Sequence, residues 1–261
     1  KGIEKRYNIR LKTEEFAKRE AEQKRQKDNR EGYITTFSGQ EMKLFNGGKI
    51  TLGTKENLKG RRANEVVRDV ILETPFYFST KEVTNSQFRE FLGNHDSGQF
   101  GGESLNEADQ PVASVSWFES VLYCNWLSRR DGLEKFYLIK YGELFGINTE
   151  ANGYRLPTEA DWEFLSRPKS KEPPSIFPWG SEYPPPQKTG NFADKSNSNK
   201  MVKKLKDYDD SFAVASPVGS FQKSMNDLYD MGGNTAEWVH DFYEAEPPTV
   251  TSYNYLGPSN G

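Results

Sequence analysis

Asp230, Gly233, Thr235 and Glu237 fall within eight positions of one another. Asp230 and Glu237 supply side-chain oxygen and negative charge. Gly232-Gly233 lets the backbone turn sharply enough to present its carbonyls, because glycine tolerates positive φ. Carboxylates and carbonyls, with no nitrogen or sulfur among them, suit a hard divalent cation. Calcium takes about six to eight such oxygens at roughly 2.3–2.6 Å. The same two acids can also simply cap turns. On residue type alone both readings stand.

Other chemistries are poorly supplied. The 261 residues contain one cysteine, Cys124, which excludes an internal disulfide, a cysteine-rich zinc site and a dithiol redox motif. Its place in a helical pattern beside Tyr123 and Trp126 suggests a buried apolar filler. The two histidines, His95 and His240, are too far apart in the chain to form a facial triad without carboxylate help. His95-Asp96-Ser97 is not a hydrolytic triad, since neighbours on one loop cannot adopt that geometry. It reads as the turn that ends a helix. Arg155, Glu159 and Glu163 read as a helix-start cluster that fixes the fold. Trp117, Trp126, Trp162, Trp179 and Trp238 read as core, with a groove lining as the other option.

Three helices are announced by their caps. Thr84 with Gln87, Ser116 with Glu119 and Thr158 with Asp161 each place a hydroxyl three residues before an acid or amide. The hydroxyl accepts from a first-turn amide, and the partner side chain answers. The first helix carries Phe88, Phe91 and Leu92, the second runs to about Arg129, and the third carries Trp162, Phe164 and Leu165. Tyr33–Phe37 and Met42–Phe45 read as strands. Asn46-Gly47-Gly48 reads as a turn that returns Lys49–Leu52 as a hairpin partner. Thr54–Arg68 is polar and reads as a loop; Val70–Phe78 resumes β character.

Beyond residue 168 proline, glycine and asparagine dominate, and no periodic pattern there supports a sheet. A long irregular region within a domain needs a pin. With no disulfide available, a metal is the natural candidate.

Residues 1–32 carry eleven Lys/Arg against seven Asp/Glu, which separates them from the rest of the chain. Their i,i+4 acid-to-base pairs, such as Glu14/Lys18, favour a charged helical linker or docking segment. Residues 33–261 form the domain proper. The chain opens on Lys1, so it is expected to be a piece of something longer. Net charge is −3, which points to neither nucleic acid nor a membrane surface. No run approaches the ~18 apolar residues of a membrane span.

Several strings occur in order: Pro75-Phe-Tyr-Phe, Glu82-Val-Thr-Asn85, Val115-Ser-Trp117, Tyr154-Arg-Leu-Pro-Thr-Glu159, Phe177-Pro-Trp-Gly180, Pro217-Val-Gly-Ser-Phe221 and Leu228-Tyr-Asp-Met-Gly-Gly-Asn-Thr-Ala-Glu-Trp238. Across roughly residues 40–245 this series resembles the formylglycine-generating enzyme, or sulfatase-modifying-factor, superfamily. The resemblance implies an α+β, C-type-lectin-like fold of short strands, few helices and much ordered loop. It implies a calcium site at Asp230, Gly233, Thr235 and Glu237. It implies a second at Asn191, Phe192, Asp210 and Phe212, the phenylalanines through their carbonyls. One or two Ca2+ ions are therefore expected.

Catalytic members use a C-terminal cysteine pair that binds copper. This sequence stops at Gly261, before that segment is expected, so the domain reads as C-terminally incomplete. No residue takes the oxidase role and copper is not expected in this chain. The favoured function is a non-catalytic, calcium-stabilised structural or protein-interaction module, with a protein partner or larger assembly. A bacterial, periplasmic, envelope-associated or secreted setting is favoured. The first alternative is a copper-dependent formylglycine-generating oxidase whose cysteines lie beyond residue 261. The second is a lectin-like ligand-binding receptor.

Overall fold

Among the described residues each helix starts where the sequence places a hydroxyl ahead of an acid or amide. In the computed structural model of the chain, helices α1 (Asn85–Phe91), α2 (Trp117–Arg130) and α3 (Glu159–Ser166) all open on complete capping boxes, at Thr84, Ser116 and Thr158. The structure describes residues 32–54, 61–167, 175–196, 203–243 and 247–257. The charged segment expected over 1–32 lies, apart from Gly32, outside the described residues.

The strands are short. β1 (Tyr33–Thr35), β2 (Glu41–Phe45) and β5 (Phe76–Ser79) form an antiparallel sheet with β2 in the middle. In a second sheet β4 (Arg68–Leu72) is central, antiparallel to β3 (Gly48–Leu52) and parallel to β10 (Ser252–Tyr253). β6 (Gln99–Phe100) pairs with β7 (Glu103–Ser104), and β8 (Tyr137–Lys140) with β9 (Glu143–Ile147).

Two expectations change. The hairpin between Met42–Phe45 and Lys49–Leu52 does not form: β2 and β3 belong to different sheets. Gly47 explains the parting. A Cβ there would lie 2.0 Å from Leu72 O, so the backbone rides directly against the end of β4 and β3 continues along it. β2 takes β5 instead, and Phe45 meets Phe76 at 6.3 Å between ring centroids. The second change is the β8–β9 hairpin, a pairing the sequence reading did not find. Its two-residue turn, Tyr141-Gly142, has φ of 54° and 82°, which matches the right-handed twist of the flanking strands.

The core that positions the site lies under α3. Ala160, Phe164 and Leu165 pack on Leu52, Val70 and Leu72 of the second sheet, and Leu228 and Met231 complete the cluster from the irregular region. Burying each of these larger apolar side chains contributes about 1.5–3 kcal/mol. Two further clusters centre on Val121, Phe136 and Tyr137, and on Phe88, Tyr123 and Leu127. Cys124 is a buried, free thiol, as its surroundings in the sequence suggest. Among the described residues 175–196 and 203–243 no named strand or helix forms, and only the Phe177–Gly180 bridge is ladder-like. Among the described residues no helix is long and apolar enough to cross a membrane.

Candidate metal centre

Leu228 and Met231 anchor the loop from below, because both plug into the core beneath α3. Asp230 is held between them in left-handed backbone, at φ 52°. Its Oδ2 accepts the Gly219 amide at 2.6 Å. Its Oδ1 is buried and has no hydrogen-bond partner. Leaving a buried charged acceptor unmet costs about 1–3 kcal/mol or more. The position therefore calls for a cation or a proton.

Asp230, Gly233, Thr235 and Glu237 all line one cleft of about 330 Å³, with Trp162, Met231 and Val239 on its apolar side. Glu237 stands at the open side and accepts from the Trp162 indole N–H. The alternative reading of these acids is thus met in part. Asp230 does cap a turn amide through one oxygen, whereas Glu237 is held by a side chain of α3.

A third carboxylate joins them. Glu82, between β5 and α1, accepts from Thr235 Oγ1 at 2.8 Å and from Asn234 Nδ2 at 2.9 Å. Burial and the nearby Asp230 charge push Glu82 up to about 8, against the pull of those two hydrogen bonds. Burial also raises Glu237 to about 7, with Asp230 adding to it. Glu237 is open to solvent as a residue while protein atoms crowd its carboxylate. Asp230 is raised by burial, opposed by the Gly219 amide and by Lys81. Three acids that each resist ionisation in one place form a site that gains from a bound cation.

Among the described residues no three His, Cys, Asp or Glu side chains gather tightly enough to hold a metal by themselves. Backbone oxygens of Gly233 and Thr235 would have to complete the shell, which is how oxygen-ligated calcium sites are commonly built. The unpartnered Asp230 oxygen and this donor set fit calcium.

The second set also comes together. Asp210 accepts from Phe192 N through Oδ2 and from Phe212 N through Oδ1, both at 2.8 Å. Asn191 Nδ2 donates to Val214 O at 2.6 Å. Ser196 Oγ donates to Phe212 O at 2.7 Å and also to Asp194 Oδ1. Asp194 is fully buried and takes the Asp210 amide on Oδ2 at 2.6 Å. Burial raises Asp210, and the Asp194 charge adds to this. Among the described residues neither aspartate forms an ion pair. Each oxygen of these two carboxylates already accepts an N–H or O–H, so this loop, unlike the one holding Asp230, leaves no carboxylate oxygen unpartnered.

Sequence reasoning missed Glu82 and Asp194. Glu82 stands in the Glu82-Val-Thr-Asn85 string, but nothing local reveals that it meets a loop more than 150 positions away. Asp194, three residues after Asn191, was the readable one. The histidines are both satisfied: His95 by Ala113 O at 2.9 Å, and His240 by the Tyr137 hydroxyl at 3.1 Å. Arg155 pairs with Asp161 at 2.7 Å, while Glu159 and Glu163 pair with Arg68 and Arg167, so the expected helix-start cluster is three separate pairs. None of the five tryptophans is fully buried, and Trp162 lines the cleft.

Comparison with known proteins agrees with the fold. Formylglycine-generating enzyme of Mus musculus is 28% identical over 237 residues, covering 82% of this chain and 61% of its own. Inactive C-alpha-formylglycine-generating enzyme 2 of Bos taurus is 29% identical over 222 residues, covering 76% and 70%. Chaperone protein LppX of Paenibacillus barcinonensis is 28% identical over 195 residues, covering 64% and 62%. The chain spans about three fifths of the length of the mouse and Paenibacillus relatives. Among solved structures, Treponema denticola variable protein 1 superposes with a TM-score of 0.65 at 21% identity, covering 85% of this chain and 80% of that one. This likeness is one of fold, α+β and C-type-lectin-like with short strands and long ordered loops. A family model, the sulfatase-modifying factor enzyme 1-like domain, matches residues 31–257, and the chain belongs to that family.

Proposed function

We propose that this domain is non-catalytic and serves as a calcium-stabilised structural or protein-interaction module. The observation that carries the reading is the buried, unpartnered Asp230 Oδ1 in a cleft shared with Glu237 and adjoining Glu82. A cation there would tie the irregular C-terminal half to the segment entering α1, so its role is to hold shape.

The thiol chemistry supports the same reading. Cys124 is the one cysteine in the 261 residues, and burial pushes it up to about 12. A thiol that resists ionisation is neither nucleophile nor metal ligand. One relative of this chain bears the description inactive, and another is named a chaperone, which supports a role in contacting other proteins. The β8–β9 hairpin offers a surface for that: Tyr141 is 94% and Phe145 75% exposed. Exposed aromatics grouped on one element commonly mark contact sites.

The test has two arms. The full-length protein is incubated with a sulfatase-type cysteine peptide, copper and oxygen, and the peptide is weighed by mass spectrometry. No formylglycine is expected; its appearance favours the oxidase alternative. In parallel, thermal unfolding is followed in calcium and in chelator. A transition that ignores calcium removes the cation from the reading.

A further inference from the structure

One side chain stands between the two oxygen-rich loops. The Asn234 backbone N–H donates to Asn191 O at 2.8 Å, and Asn191 Nδ2 donates back to Asn234 Oδ1 at 3.2 Å. The same Oδ1 accepts from Ser216 N at 2.9 Å and Ser216 Oγ at 3.2 Å. On its other side Nδ2 donates to Glu82 Oε2 at 2.9 Å and to Ser216 O at 3.4 Å. A carboxamide offers two N–H donors and one oxygen with two lone pairs. Every one of these is engaged, so the rotamer is fixed from both loops at once.

The loops also touch backbone to backbone. A Cβ on Gly233 would fall 2.4 Å from Asn191 O, and one on Gly190 would fall 2.4 Å from Gly232 O. No compressible layer separates them. A shift of Asn191 must therefore move Asn234, and with it the hydrogen bond that aims Glu82.

We propose that the two cation sites are energetically coupled through Asn234, so that a cation at the Asn191–Asp210 loop strengthens binding at the Asp230–Glu237 cleft. The proposal rests on the cation reading given above. Its physical basis is shared ordering. The first ion fixes Asn191, Asn191 fixes Asn234, and Asn234 holds Glu82 beside Asp230, so the second ion finds that arrangement already made. Linkage requires the effect to be equal in both directions. Asn234 has φ 59°, which glycine adopts without strain. Asn234→Gly therefore removes the side chain and keeps the backbone bond to Asn191.

The experiment is calorimetric titration of calcium into the metal-free full chain. Asp210→Asn should weaken the remaining Asp230 site by about 5-fold or more, and Asp230→Asn should weaken the Asn191 site by the same factor. On the Asn234→Gly background the effect of Asp210→Asn should shrink to less than about 2-fold. Should Asn234→Gly fail to fold, Asn234→Asp keeps the acceptor but turns an oxygen toward Glu82, and it too should lose the coupling. Amide exchange gives an independent readout. Residues 191–194 and 230–237 should gain protection at one calcium concentration in the parent chain and at two in Asn234→Gly. Equal weakening on both backgrounds, a single bound ion, or two ions that ignore each other overturns the coupling. No bound calcium at all overturns the cation reading beneath it.

Discussion

The Thr235 hydroxyl donates to Glu82 Oε1 at 2.8 Å, across 153 positions of sequence. That bond fastens the segment entering α1 to the loop that holds Asp230. Thr235→Val keeps the shape and the backbone carbonyl but removes the donor. A partly buried carboxylate loses one hydrogen bond, a loss of about 1–2 kcal/mol. Urea unfolding of the variant should show this, with calcium affinity changed less than in Glu237→Gln. A Thr235→Val protein as stable as its parent would mean that the bond has no weight.

Calcium should raise the unfolding temperature. An ion at about 100 times its Kd stabilises by about 2.7 kcal/mol. For a domain of this size that is roughly 5–10 °C. Asp230→Ala should abolish most of the shift. Chelation should loosen 187–196 and 203–240 ahead of α2 and α3, since the loops depend on the ions and the helices on apolar packing. Amide exchange with and without chelator reads this directly, and uniform loosening would contradict it.

Glu82→Gln should change sign with calcium. In chelator burial, with the Asp230 charge adding, raises Glu82 to about 8, so at pH 7 the chain folds only by protonating it, and a neutral amide is spared that cost. The variant should then be more stable than the parent by about 1 kcal/mol. In saturating calcium it should be less stable, because the cation loses a neighbouring charge. Two denaturation curves per protein suffice. The same sign in both conditions would remove Glu82 from the site.

How much of this was readable depended on distance along the chain. The three capping boxes at Thr84, Ser116 and Thr158 need only residues three apart, and all three are present. The Asp230–Glu237 string is also local, and its four residues share one cleft. Glu82 was hidden because its partners lie in another part of the chain. The β2–β3 hairpin misled because Gly47 looks like a turn glycine, whereas its missing side chain serves contact with Leu72. Tyr141-Gly142 lacks the usual Asn-Gly signal, so β8–β9 left little trace.

His240 should make the fold acid-sensitive. Burial, with the Arg155 charge adding, lowers it to about 4, and its Nδ1 lies in hydrogen-bond contact with the Tyr137 hydroxyl at 3.1 Å. The folded state thus prefers neutral imidazole, while the unfolded chain protonates near pH 6.5. The contribution is whole above pH 6.5 and is lost as pH falls from there toward 4. Between pH 7 and 5 the loss is about 2 kcal/mol. Neighbouring acids titrate too, so the measurement is the difference from His240→Gln. If both proteins lose stability in parallel, His240 is not the cause.

Gly233 tests whether contact between the loops, rather than backbone freedom alone, holds the site. At φ 100° any side chain is strained, and a Cβ would also strike Asn191 O at 2.4 Å. Gly180 is the control: its φ is 133°, and a Cβ there would meet nothing within 4 Å. Gly180→Ala should therefore cost strain alone, about 1–3 kcal/mol. Gly233→Ala adds a backbone collision that only a parting of the loops relieves. Its cost should exceed that of Gly180→Ala by about 2 kcal/mol, and it should weaken calcium binding where the control does not. Equal costs and equal affinities would mean that the loops sit side by side without supporting each other.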